Sequence, residues 1–139
     1  MKRASLSRYS VLAVGALTAA AAPAAWQPAR APGLPALAGI EKGMWELRER
    51  GSSAAPRRIC IADPSTLIQI RHGASACSRF VIDSKPDRAT VHYTCPGAGH
   101  GRTTIRVETS RLIHIDSQGI ADNSPFNFTY EGRRVGNCG

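Results

Sequence analysis

From Trp45 to Tyr130 the chain repeatedly alternates apolar and polar side chains with a period of two, the pattern of half-buried strands. Trp45 and Leu47 alternate with Glu46 and Arg48, and Ile59 and Ile61 with Arg58 and Cys60. Phe80 and Ile82 alternate with Arg79, Val81 and Asp83, and Val91 and Tyr93 with His92 and Thr94. Ile105 and Val107 alternate with Arg106 and Glu108, Ile113 and Ile115 with His114 and Asp116, and Phe126, Phe128 and Tyr130 with Asn127 and Thr129. The pattern predicts a mainly β fold. We expect about seven short strands in one antiparallel meander sheet or half-barrel, with one short helix.

That helix is expected where the alternation breaks. Asp63 is a good N-cap and Pro64 suits the first helical position. Ser65 to Arg71 then supplies Leu67, Ile68 and Ile70, and Gly73 ends the run after about two turns. Residues 25–39 are rich in Pro, Ala and Gly without periodicity and read as a flexible lead-in. The folded domain is expected to span 40–139, too short for a large core.

The N-terminus changes the compartment. Lys2, Arg3 and Arg8 precede the uncharged run Val11–Ala22, and Ala22-Pro23-Ala24 offers the small residues of a cleavage site. Residues 1–24 therefore read as a signal peptide rather than a membrane span, which needs about 20 apolar residues. The expected location is periplasmic or secreted, with no transmembrane segment in the mature form. The full chain carries a net charge of +8; removing 1–24 leaves 15 basic and 10 acidic residues, a net +5. This surplus favours an anionic envelope component or another envelope protein as partner, not nucleic acid.

In an oxidising compartment Cys60, Cys77, Cys95 and Cys138 are expected to form two disulfides. If Ser84 faces Arg88 across the turn at Pro86, facing residue numbers sum to 172. Val81 then meets Val91 and Cys77 meets Cys95, within disulfide reach. Cys60–Cys138 follows by elimination, although four cysteines allow three connectivities.

Several of these pieces occur in a recognisable order. Gly43-Met44-Trp45-Glu46 opens the domain, and Arg58-Ile59-Cys60-Ile61 runs into the Asp63-Pro64 helix. Cys77 precedes a strand, Cys95 ends the next, and Gly132-Arg133-Arg134-Val135-Gly136-Asn137-Cys138 closes the chain. This set resembles the exported bacterial domain-of-unknown-function family 3617 over about 40–139. Lys42 stands where that family often has Pro, and its Met-rich strands are missing. The resemblance implies an exported location and carries no catalytic residues.

Candidate chemistry is sparse. His92, Cys95, His100 and His114 lack the tight ligand pairs of a structural zinc site, and an oxidised Cys95 is no ligand, so neither metal nor cofactor is expected. No serine sits in a Gly-x-Ser-x-Gly elbow, and Asp116 and Asp122 are not selected over other acids, so no enzyme is expected. Gly97–Gly101 reads as a wide turn. Arg57, Arg58, Arg133 and Arg134 form a candidate anion or partner patch if Cys60 joins Cys138. Trp45, Phe126, Phe128 and Tyr130 form a candidate apolar ligand wall on a concave face. The resulting expectation is a non-catalytic binding or structural envelope domain. The alternative is a carrier of a small apolar ligand on the curved sheet.

Overall fold

The computed structural model describes residues 33–139. The signal segment and most of the expected lead-in lie outside the described residues. Seven strands form: β1 Gly43–Glu49, β2 Arg57–Ile61, β3 Ser78–Ser84, β4 Arg88–Cys95, β5 Gly99–Thr109, β6 Leu112–Ala121 and β7 Ser124–Gly136. They make one open antiparallel sheet in the order β2-β1-β7-β6-β5-β4-β3. Strands β3 to β7 are a plain meander. The N-terminal hairpin β1–β2 then docks onto the far side of β7, so the last strand lies inside the sheet.

The turns follow from local chemistry. The β6–β7 loop is Asp122-Asn123, both at positive φ (51° and 60°), the two-residue turn that matches strand twist. At β3–β4 the facing pairs sum to 172 from Ser78↔Thr94 to Val81↔Val91, as the hairpin argument requires. A bulge at Ile82 then shifts the pairing, and Ser84 faces Ala89 rather than Arg88. Both expected disulfides are present: Cys77–Cys95 with Cα atoms 4.1 Å apart and Cys60–Cys138 at 5.5 Å.

One sheet face carries Trp45, Leu47, Ile61, Val91, Tyr93, Ile105, Ile113 and Ile115, all buried. It is closed by a 3₁₀ helix, Pro64–Gln69, whose six residues make about two turns where the short helix is expected. Asp63 caps it, accepting from the Ser65 backbone N–H at 2.9 Å and the Ser65 hydroxyl at 2.7 Å. Leu67 and Ile68 bury fully and contribute about 2 kcal/mol each. Buried Thr103 donates to the Ile68 carbonyl at 2.6 Å and bonds the Ser117 hydroxyl at 2.7 Å, tying helix to sheet.

Two expectations need correction. The stretch 33–39 is ordered structure rather than a flexible lead-in: α1, Pro35–Ala38, buries Ala36 and Leu37, and Ile40 follows into the core. Gly97–Gly101 is not one loop, because β5 begins at Gly99. Gly101 faces the Tyr93 hydroxyl and Gly119 faces the His100 backbone so closely that neither position has room for a Cβ.

Candidate binding groove along the last strand

Strand β7 has thirteen residues and β1 only seven, so the register between them ends at Glu49↔Tyr130. The first half of β7 therefore has a ladder partner, β6, on one side only. On its core-side face Phe126, Phe128 and Tyr130 lie one above another, with ring centroids 5.9 Å and 4.6 Å apart. Their β6 neighbours explain the space they occupy, since Gly119 faces Phe126 and Ser117 faces Phe128. Beside the ladder, Ile70, Arg71 and Gly73 follow the 3₁₀ helix, and Glu49 and Arg57 come from β1 and β2. Together these residues line a groove of about 420 Å³.

The electrostatics are lopsided. Arg57 and Arg71 flank the ladder, and among the described residues neither takes part in an ion pair. Burial pushes the Tyr130 hydroxyl above the usual tyrosine range and Glu49 pushes it further, while Arg57 and Arg71 pull it back. The groove thus offers stacked apolar surface bordered by two uncompensated guanidiniums and one carboxylate.

His72 fixes the end of the wall. Its ring meets Phe126 and Tyr93 edge-on, with centroids 5.9 Å and 5.2 Å away. Nδ1 lies 3.1 Å from the Tyr93 hydroxyl, and Nε2 lies 3.2 Å and 3.1 Å from the Ala98 and Ile120 carbonyls. Carbonyls only accept, so Nε2 carries a proton. The sequence reading passed over His72, whose partners lie up to 48 residues away and are joined only by the sheet register.

The four-residue wall divides. Trp45 is 0% exposed and fills the core, donating Nε1–H to the Glu41 carbonyl at 2.9 Å. Only Phe126, Phe128 and Tyr130 reach the groove. The arginine patch divides as well, because neighbouring residues on a strand point to opposite faces. Arg58 and Arg133 flank Glu46 on the open face, in the register Arg58↔Glu46↔Arg133. Arg57 faces Leu47 on the core side. Arg134 is spent internally, donating to the Lys42 carbonyl and Asn137 Oδ1 and lying 3.6 Å from Glu41. The disulfide does bring both pairs to one end of the sheet, yet they form no single patch.

Of the other candidates, Cys95 is in a disulfide and His114 is bonded to Glu108 at 2.8 Å. His92 and His100 lie together, 5.9 Å between ring centroids. Among the described residues no group of three or more His, Cys, Asp or Glu side chains is placed to hold a metal ion. Asp116 accepts from the Thr129 hydroxyl, and Asp122 is a turn residue. No described helix is long and apolar enough to cross a membrane. No protein family, curated protein or solved structure matches this chain.

Proposed function

We propose that this is an exported, non-catalytic binding domain of the cell envelope whose groove along β7 takes a small amphiphilic anion. The observation that supports it is the Phe126–Phe128–Tyr130 ladder beside Arg57 and Arg71, two cations without an ion-pair partner among the described residues. An apolar body would lie on the rings, and a carboxylate or phosphate would meet the guanidiniums, whose planar fork suits either group. A volume of about 420 Å³ is in the range of small-ligand sites. The core face is filled by its own side chains, so the ligand would sit at the rim rather than inside the sheet. This refines the apolar-carrier alternative into an amphiphile site. Two disulfides favour an oxidising location, and the proposal keeps the resemblance to the exported family 3617 as its framework.

The test is calorimetric titration of the exported protein with laurate and with the neutral alcohol dodecanol. Laurate is expected to bind. Phe128→Ala and the double variant Arg57→Ala/Arg71→Ala should each weaken it by about tenfold or more, the scale of a charge-assisted contact or a buried ring. Equal binding of dodecanol, or indifference to Phe128→Ala, overturns the reading. N-terminal sequencing of the same preparation should begin near Ala25, and a cytoplasmic chain beginning at Met1 overturns the export part.

A further inference from the structure

The face of the sheet turned away from the core carries its polar residues in rungs that run across the strands. One rung, Thr90, Thr104, Asp116 and Thr129, is internally paired. Thr90 bonds Thr104 at 3.0 Å, and Thr129 donates to Asp116 at 2.8 Å. Further along, Arg88 pairs with Asp83, His114 with Glu108 and Arg133 with Glu131. One rung behaves differently. The register places Phe80, His92, Arg102, Gln118 and Asn127 side by side across β3 to β7. His100 lies next to His92 from the adjoining rung. Among the described residues, His92, His100, Arg102, Gln118 and Asn127 form no side-chain hydrogen bond and no ion pair. All five line one groove of about 680 Å³, together with Ile120, Pro125 and Phe126. At the β3 end of the rung, Phe80 stands 69% exposed.

We propose that this rung is a saccharide-binding platform, and that its ligand is a chain of uronic-acid sugars. The chemistry of the row selects that class. Gln118 and Asn127 each present a donor and an acceptor, which matches hydroxyl groups that both donate and accept. Arg102 offers a planar fork to a carboxylate, and His92 and His100 add further ring nitrogens. Phe80 gives the apolar C–H face of a sugar ring an aromatic surface to lie on. Five strands spaced about 4.8 Å apart make a row about 19 Å long, so a linear oligosaccharide fits the shape better than a single small ion. A denser polyanion fits poorly. Among the described residues Arg102 is the only Lys or Arg lining this groove, and Asp116 lines the adjoining depression together with Arg102. Polyphosphate and nucleic acid binding instead draw on several basic contacts at once.

The site shares Phe126 and Asn127 with the lining of the aromatic groove, while His92, His100, Arg102 and Gln118 border it and not the aromatic groove. The two readings therefore fail independently.

The experiment titrates the exported protein with hexagalacturonate, with maltohexaose as the neutral sugar and with linear polyphosphate as the dense anion. Binding is followed by calorimetry and by NMR shifts of the Gln118 and Asn127 side-chain amides. Hexagalacturonate should bind and move both amide signals. Arg102→Ala, and separately Gln118→Ala/Asn127→Ala, should weaken it by about tenfold or more, the scale of losing charged or paired hydrogen bonds. Because these side chains have no hydrogen-bond or ion-pair partner among the described residues, melting midpoints should stay at the wild-type value. Phe128→Ala should leave hexagalacturonate binding intact. Absence of binding overturns the proposal. So does maltohexaose binding as tightly as the acidic sugar, or polyphosphate binding as tightly with Gln118 and Asn127 dispensable.

Discussion

Replacing Thr103 by Val tests whether the sheet holds the 3₁₀ helix, and with it one wall of the aromatic groove. The two side chains have nearly the same shape, and Thr103 is 1% exposed, so the change removes a hydroxyl and leaves no cavity. What it strands is specific. The Ile68 carbonyl loses its donor at 2.6 Å, and the Ser117 hydroxyl loses its partner at 2.7 Å. A buried acceptor left without a donor costs about 1–3 kcal/mol. A total near 2 kcal/mol follows, and for a domain of this size each kcal/mol is worth about 4–8 °C in melting midpoint. The expected fall is therefore about 8–16 °C by differential scanning calorimetry. Ser117→Ala in the Thr103→Val background should cost less than Ser117→Ala alone, because the pair is already broken. A Thr103→Val variant within about 0.5 kcal/mol of wild type, the range of an inert surface change, would refute the assignment of this hydroxyl as the tie.

Two further outcomes are expected. Replacing Cys60 and Cys138 by Ala should destabilise more than replacing Cys77 and Cys95, since the bonds span 78 and 18 residues and loop entropy gives about 4.5 against 3 kcal/mol. Lost packing at buried Cys95 adds up to about 1 kcal/mol to the smaller figure, and a reversed order in urea melts counts against the argument. Asp63 is held below the usual carboxylate range, chiefly by the Ser65 hydroxyl and then the Ser65 N–H. Its native value is depressed, so its contribution is present above the unfolded value of about 3.9 and fades as pH falls through the native one. Asp63→Ala should therefore cost about 1 kcal/mol at pH 7 and progressively less in acid. A cost that stays constant down to pH 2 rejects the cap.

The strands were legible because two unlike environments, core and water, alternate along them. The signal weakened where both parities are apolar. On β3, Phe80, Val81 and Ile82 are all large and hydrophobic, and the structure turns Val81 toward Val91 while leaving Phe80 and Ile82 exposed at 69% and 45%. A bulge has no signature in an apolar–polar string, so the register argument held from Ser78 to Val81 and slipped beyond it. Residues 33–39 were misread because Pro and Gly dominate their composition. Leu34, Leu37 and Ile40, spaced three apart, carried the helical signal. Phe126, Phe128 and Tyr130 were recognised as one apolar face, but nothing local distinguishes them from Trp45, which the structure sends to the core. The unpaired rung of His92, Arg102, Gln118 and Asn127 is invisible along the chain, since its members come together only through three separate strand pairings.

The position of β7 between β6 and β1 has a kinetic consequence. The meander can grow by adding neighbours, each contact closing a short loop. The β1–β2 hairpin, formed first in the chain, has no place to dock until the last thirteen-residue strand has arrived. Joining them closes a span of most of the domain, the most entropically demanding step in its assembly. Until then the hairpin, a two-stranded ribbon, is marginal by itself. A chain truncated before Ser124 therefore cannot complete the sheet, and an emerging polypeptide stays pliant until Ser124–Gly136 is free.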